Sequence, residues 1–209
     1  MITLLRFLRA SHQRGQALVE MAIILPLFLI LVLGTLEFGI AFDHNLTLEY
    51  ATREGARAGS ALANGGGPIT CSPASAASLA VDNQIIAAVE RVLVSDGSPI
   101  KLANVTEIHI FKVLPGNTSG VEASGLVNKW LYAPGQGPIV DGKTLDFKKD
   151  VTTQGWPACT RFNGQPNPDS IGVSLRYNYN LQTSLGAFLS VVNFQMRDHT
   201  VMALNPTGK

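Results

Sequence analysis

Apolar residues are concentrated near the N-terminus of the chain. Between Ala17 and Phe42 the only charged residues are Glu20 and Glu37, and Met21–Leu36 is an uncharged run of 16 residues. A helix that crosses the hydrocarbon core of a membrane needs about 20 residues. The run is apolar on every helical face, whereas a helix on the surface of a soluble domain keeps a polar face. The pattern predicts a transmembrane helix over 16–42, with a buried core helix as the alternative.

The charges on either side of this run predict its orientation. Arg6, Arg9 and Arg14 precede it without any acidic residue in 1–15, whereas charges of both signs follow it. The positive-inside rule therefore places the N-terminus in the cytoplasm and the C-terminal body outside. No small-residue site for a secretory signal peptidase lies close behind the run. We expect a retained, single-pass anchor in the cytoplasmic (inner) membrane.

The helix is expected to continue beyond the membrane as a stalk over 43–64. Four small residues recur at a spacing of four and share one helical face, which allows another backbone to approach closely. That neighbour is either a helix of another subunit or the sheet of the same chain. Thr52 is expected on the opposite face. The small-residue stripe consists of Ala51, Gly55, Gly59 and Ala63.

The rest of the chain, 65–209, is predicted to be an exported body with a small antiparallel sheet, which gives the chain an α+β fold. Ser72-Pro73 predicts the start of a helix. Strands are predicted over 105–114, 173–181 and 196–204 from β-branched residues and alternating polarity. Between the last two strands, one apolar helical face either covers the core or forms a membrane or partner patch. It comprises Leu185, Phe188, Leu189 and Val192.

Segment 115–172 holds most of the prolines and is expected to be a long, loop-rich insertion. The two cysteines of the chain, Cys71 and Cys159, both lie in the predicted exported body. An even number of cysteines in an oxidising compartment favours a disulfide between them. Neither has a histidine at ligand spacing, so we predict no metal site and no cofactor.

One motif has the residue pattern of a phosphate-binding loop, but the residues in and around it do not suit that structure. Gly137–Thr144 satisfies the pattern GxxxxGK[ST], but Pro134 and Gly135 would interrupt the strand that must precede it. Pro138 lacks an amide hydrogen, and Asp141 would repel a phosphate. We therefore predict no nucleotide binding. A net charge of +1 gives no electrostatic footprint for nucleic acid, and no catalytic signature indicates an enzyme.

The N-terminal motifs resemble those of a known family. A basic leader ends at Gly15, and Glu20 follows at the start of the apolar helix, as in class III, type IV pilin-like leaders. With the further motifs Leu33–Gly39 and Ala51–Arg57, residues 14–60 closely resemble the TadE-like family. These are minor pilin-like proteins (pseudopilins) of the tight-adherence, or Flp, pilus system.

The resemblance implies a pilin-like fold and a series of interactions. A prepilin peptidase would cut between Gly15 and Gln16, removing the leader 1–15. Glu20 would then be the assembly carboxylate, which meets the new α-amine of a neighbouring subunit. The implied partners are the peptidase, other pilin-like subunits, the pilus assembly machinery and membrane lipid.

The function that we predict is a non-enzymatic, minor pilin-like subunit for assembly or priming of a Tad-type pilus. One alternative is a membrane-tethered extracytoplasmic binding or scaffold domain that never enters a fibre. A third class is an anchored hydrolase that uses the loops of 115–172. Processing at Gly15 separates the first class from the second, and a pocket with converging ionisable groups would favour the third.

Overall fold

The computed structural model describes residues 2–63, 76–114, 120, 122–152, 155–164, 166–184, 186 and 193–205, with side chains from residue 15 in the first helix and from 80 in the second. Helix α1 spans Ile2–Leu62 and α2 spans Ala76–Leu93, with short 3-10 turns at Leu102–Asn104 and Ala158–Thr160. The strands are β1 (Val105–Val113), β2 (Glu122–Tyr132), β3 (Ile139–Val140), β4 (Lys143–Thr144), β5 (Phe147–Lys149), β6 (Ser170–Asn180) and β7 (Asn193–Ala203).

The strands form a five-stranded sheet in the order β5-β2-β1-β6-β7 and a separate two-stranded hairpin, β3-β4. Strand β1 lies at the centre and pairs antiparallel with both neighbours. Ile108 stands opposite Trp130 of β2, and Ile110 stands opposite Val173 of β6. A long N-terminal helix followed by an antiparallel-sheet body confirms the predicted α+β fold class.

Contacts divide the chain into two compact units. The first comprises Met1–Ala41 and Asn180–Asn193, and the second comprises Phe42–Tyr179 and Phe194–Lys209. The helical segment predicted as a stalk over 43–64 thus belongs, as far as it is described, to the same unit as the sheet.

The core of the second unit lies between α1, α2 and one face of the sheet. Side chains alternate between the two faces of a strand, and the apolar set of β6 is buried on the face toward the helices. Val173 contacts the position of Gly55 on α1, while Leu48 of α1 and Ile85 of α2 are fully buried. The apolar residues of this β6 face are Ile171, Val173, Leu175, Tyr177 and Tyr179.

Strand β2 is the main departure from the predicted elements, because it lies within 115–172, the segment expected to be a loop-rich insertion. Its alternation is hard to recognise because Asn128, a polar residue, takes a fully buried place beside Trp130 on the core face. Strands β1, β6 and β7 begin and end within three residues of their predicted limits, whereas β3, β4 and β5, which also lie within 115–172, were not predicted. Ser72-Pro73 and the apolar set Leu185, Phe188, Leu189 and Val192 lie outside the described residues.

Candidate functional site

Gly15, Gln16 and Glu20 of the leader motif lie in α1 and are exposed. Gln16 donates a hydrogen bond from Nε2 to Oε1 of Glu20 at 3.0 Å, as residues four apart on one helical face can. A Cβ added at Gly15 would meet no atom within 4 Å. Packing within the described chain therefore does not explain the glycine.

Beyond this motif, α1 exposes apolar side chains on all sides. Part of 15–62 is apolar and long enough to cross a membrane, and none of the residues in that window is buried. Leu27 and Phe28, for example, are 61% and 57% exposed. The core helix of a soluble protein would be mostly buried. The helix is therefore consistent with single-pass membrane anchoring.

Glu37, the second acid of the apolar run, is only 6% exposed. Its Oε1 accepts the backbone N–H of Gln182 at 2.9 Å, and its Oε2 accepts that of Thr183 at 2.8 Å. Both carboxylate oxygens thus take part in charge-assisted hydrogen bonds. The sequence gives no sign of this pairing, because the two carboxylate oxygens bind backbone amides that are 145 and 146 residues away.

The small-residue stripe is buried in the second unit. A Cβ at Gly55 would lie 2.5 Å from Cγ2 of Val89 in α2, and one at Gly59 would lie 2.7 Å from Cδ1 of Ile171 in β6. These separations are shorter than real carbon–carbon contacts of about 3.5–4.0 Å. The sequence left open whether another subunit or the same chain packs on this stripe. In the structure, α2 and β6 of the same chain pack against Gly55 and Gly59.

Thr52 does not lie on the exposed face, so that expectation was wrong. One residue turns the helix by about 100°, which leaves Thr52 beside Ala51, and it is fully buried. Its hydroxyl donates to Oδ2 of Asp198 at 2.5 Å and lies 3.0 Å from the hydroxyl oxygen of Thr200. Thr52 therefore ties α1 to β7.

The exposed face of α1 in the second unit is charged. Glu49 pairs with Arg53, and Glu54 pairs with Arg57. The hydrogen bonds from Arg57 lower the pKa of Glu54, although partial burial opposes this shift. This polar face contrasts with the apolar surface of the same helix before residue 42.

On the sheet, ionisable groups converge around His109, which is 6% exposed. Its Nδ1 and Nε2 lie 3.0 Å from carboxylate oxygens of Glu122 and Glu107, respectively. The hydrogen bond with His109 is the main cause that lowers the pKa of Glu122 to about 2.

Basic groups compensate these two carboxylates. Lys129 and Arg176 bind Glu107 at 2.7 and 3.0 Å, and Arg197 binds Glu122 at 2.8 Å. The described residues contain no group of three His, Cys, Asp or Glu side chains placed to hold a metal ion. The cluster is an ionic network, and its charges are engaged with one another.

A second polar cluster is buried beneath the loop that carries Cys159. Arg161 and Asp82 are 2% and 1% exposed and pair at 2.5 Å. Asn128 donates to Asp82 at 2.6 Å and accepts the backbone N–H of Trp156 at 2.7 Å. These bonds fix the loop to α2. Cys71 lies outside the described residues, so the Cys71–Cys159 disulfide stays a prediction.

The segment that matches a phosphate-binding loop folds as a hairpin. Strands β3 and β4 pair antiparallel, and the turn between them places Asp141 and Gly142 at φ angles of 50° and 79°. A phosphate-binding loop instead joins a strand to a helix. Lys143 points its Nζ to within 3.1 Å of Oε1 of Glu90, which is buried.

Comparison with known proteins bears on the N-terminal part of the chain. The family model described as TadE-like protein matches residues 15–57, which confirms the resemblance found in the motifs. The match includes the leader junction, the exposed apolar segment of α1 and Gly55 of the small-residue stripe. Neither a curated protein nor a solved structure matches the chain.

Proposed function

We propose that this chain, which is TadE-like over residues 15–57, is a non-enzymatic, pilin-like subunit that takes part in assembly or priming of a Tad pilus. The family associates the chain with the Tad pilus. The observation that carries the finer proposal is that the matched region contains the segment of α1 whose apolar side chains are exposed. A subunit that is handed from membrane to fibre needs such a surface.

The exposed helix can be covered by lipid before assembly and by neighbouring helices afterwards. Removing one large apolar side chain such as Leu27 or Phe28 from water contributes about 1.5–3 kcal/mol. Because these side chains surround the helix, several neighbours can pack on it at once. This supports other pilin-like subunits as partners in addition to membrane lipid.

Glu20 supplies the polar element of this surface. A carboxylate placed in hydrocarbon costs about 2.5–3.5 kcal/mol on insertion scales unless it is paired. Cleavage after Gly15 would make Gln16 the first residue and create an α-amine four residues from Glu20. We propose that the Glu20 carboxylate binds the α-amine of a neighbouring subunit, which would align the two helices.

The cleavage step gives the sharpest test. With a prepilin peptidase present, mass spectrometry of the membrane protein should show a chain that begins at Gln16 and has lost the arginines Arg6, Arg9 and Arg14. Gly15→Ala should block the cut. Gly34→Ala is the matched control, because a Cβ at Gly34 also meets no atom within 4 Å, and it should be cleaved normally.

A wild-type chain that still begins at Met1 in the presence of the peptidase would refute the proposal. It would favour the alternative of a tethered extracytoplasmic binding or scaffold domain, which needs no cleavage. Equal cleavage of Gly15→Ala and Gly34→Ala would show that the cut does not require glycine at position 15.

A further inference from the structure

The buried carboxylate of Glu37 stands close to one end of the apolar helix. The 17-residue step from Glu20 to Glu37 corresponds to about 26 Å of helix, whereas the hydrocarbon core is about 30 Å thick. If Glu20 lies at the cytoplasmic edge, Glu37 lies at or just inside the outer edge. A carboxylate at this depth needs hydrogen-bond donors other than bulk water.

The structure supplies these donors from the connection between β6 and β7. The backbone amides of Gln182 and Thr183 bind the two oxygens of Glu37 at 2.9 and 2.8 Å, and Glu37 as a whole is only 6% exposed. Residues 180–193 belong to the same compact unit as the N-terminal part of α1. Gln182 and Thr183, in the described part of the connection, therefore lie at the level of Glu37 on the helix.

The composition of this connection suits a lipid surface. The connection between the two strands, 181–192, contains no Asp, Glu, Lys, Arg or His. Charged side chains are the costly ones at a hydrocarbon boundary. Polar uncharged residues such as Gln182 and Ser184 can lie among lipid headgroups at little cost.

The helix surface on either side of Glu37 distinguishes lipid from a single protein partner. Leu36 and Phe38 project about 200° apart around the helix, yet they are 55% and 73% exposed. One protein partner would cover one side of the helix, whereas lipid surrounds it. Before the chain is packed among other subunits, the occupant that fits both sides is the bilayer.

We infer that the turn at Gln182 and Thr183 is a second membrane-contacting element, which Glu37 holds at the outer lipid headgroup level through its two backbone hydrogen bonds. The inference rests on the membrane anchor of the proposed function, but not on cleavage or on entry into a fibre. It assigns Glu37 a positioning role that is separate from the assembly role proposed for Glu20.

Fluorescence quenching by brominated lipids tests this placement in the full chain. Tryptophan is introduced singly at three exposed positions of chains reconstituted in vesicles: Ser184 in the turn, Phe38 on the helix and Ser95 after α2. The native Trp130 and Trp156 are each 1% exposed, and the signal of the wild-type chain provides their background. Lipids brominated near the headgroup should quench Ser184→Trp about as strongly as Phe38→Trp, and Ser95→Trp provides the comparison from the second unit.

Two results would overturn the inference in different ways. Quenching of Phe38→Trp together with background signal from Ser184→Trp would mean that the anchor is correct but the turn lies away from the lipid. Background signal from both would refute the membrane anchor as well. Ser184→Trp fluorescence could instead change with the amount of protein per vesicle and not with lipid bromination. That result would assign the turn to a neighbouring subunit and refute lipid contact.

The role of Glu37 is tested in the Ser184→Trp chain. Glu37→Gln keeps the size of the side chain but replaces one acceptor oxygen with a donor, so one of the two backbone bonds is lost. When Glu37→Gln is added to the Ser184→Trp chain, we expect much of the quenching at position 184 to be lost. When it is added to the Phe38→Trp chain, the quenching at position 38 should remain. Glu20→Gln, the matched change at the other acid of the run, should leave both signals unchanged. Undiminished quenching in Glu37→Gln would show that Glu37 does not hold the turn.

Discussion

The two segments of α1 use glycine in opposite ways. In 15–41 a Cβ added at any glycine would meet no atom within 4 Å, whereas in 42–62 an added Cβ would lie within 2.7 Å of a neighbouring side chain. The open glycines are Gly15, Gly34 and Gly39, and the crowded ones are Gly55 and Gly59. Packing within the described chain thus leaves the glycines of the first segment unconstrained, whereas it constrains those of the second.

This difference predicts a separation of effects between the segments. Substitutions in 15–41 should change processing, membrane contact or assembly without destabilising the second unit. Substitutions toward the core in 42–62 should destabilise that unit whether or not a fibre forms. Trp130 and Trp156, both buried in the second unit, report its unfolding in denaturant titrations of the full chain.

The largest effect is expected from Glu20→Ala, which should abolish or severely reduce assembly with partner subunits. Membrane insertion should not suffer, because removing a carboxylate saves up to about 2.5–3.5 kcal/mol on insertion scales. The free energy of unfolding of the second unit should change by no more than about 0.5 kcal/mol, as for surface positions generally. Pilus counts, membrane fractionation and tryptophan fluorescence give the three measurements. Normal pilus numbers would mean that Glu20 is only an interfacial residue.

Gly55→Leu should give the opposite result, a destabilised second unit. The new side chain would begin 2.5 Å from Val89, and overpacking typically costs about 1–3 kcal/mol. The gain in helix propensity over glycine is at most about 1 kcal/mol, so the clash should dominate. The unfolding midpoint measured by tryptophan fluorescence should fall.

Ala61→Leu is the control for this clash, because Ala61 is exposed on the same helix and should tolerate the larger side chain. A Gly55→Leu variant as stable as Ala61→Leu would show that α1 does not pack this closely. Gly34→Leu makes the same substitution in the open segment, and we expect no change in the unfolding midpoint.

The sequence predicts these two segments to different extents. The apolar run and the alternation in β6 are local patterns, so α1 and β6 could be recognised directly. The small-residue stripe was also visible, but a spacing of four does not say whether the neighbour is the same chain or another. That depends on α2 and β6, which lie far along the sequence.

Polar residues in unexpected places account for most of what the sequence did not reveal. Asn128 interrupts the alternation of β2 because it is buried and bonded to Asp82 and Trp156. Glu37 could be identified as an acid near the membrane edge. Its partners could not, because backbone amides carry no residue-specific signal.

The ionic network of the sheet predicts a pH dependence that belongs to the second unit. The pKa of Glu122 is lowered to about 2 from its ordinary value of 4.5, mainly by its hydrogen bond with His109. The unfolded chain therefore binds a proton at higher pH than the folded chain does. The stabilisation from Glu122 is present above pH 4.5 and is lost as the pH falls from 4.5 toward 2.

Denaturant titrations of wild type and Glu122→Gln at several pH values measure this effect. Glu122→Gln should be less stable than wild type near neutral pH, and the difference should shrink as the pH falls through this range. A difference that is constant down to pH 2 would show that the carboxylate charge is not what stabilises the network. Glu20→Gln, in the first segment, should not change the pH profile of the second unit.

The smallest effect should come from Thr52→Val, which removes a hydroxyl and nearly preserves the shape of the side chain. Thr52 is fully buried and donates to Asp198, so the variant loses a bond between α1 and β7. A typical intramolecular hydrogen bond contributes about 0.5–1.5 kcal/mol. Because Asp198 is only partly buried, water can replace part of this bond. We expect a loss within that range, measured as a lower unfolding midpoint.

Thr35→Val makes the same substitution in the first segment, where the hydroxyl donates to the carbonyl oxygen of Leu31 in the same helix at 2.9 Å. It should leave the unfolding of the second unit unchanged. The exposed Thr35 hydroxyl bonds within its helix, whereas the buried Thr52 hydroxyl bonds to Asp198 of β7 as well as to the carbonyl oxygen of Glu49 in its own helix. Equal effects of Thr35→Val and Thr52→Val would mean that the loss reflects helix propensity alone. In that case the contrast between the two segments of α1 would be supported by the different packing around their glycines, but not by their side-chain hydrogen bonds.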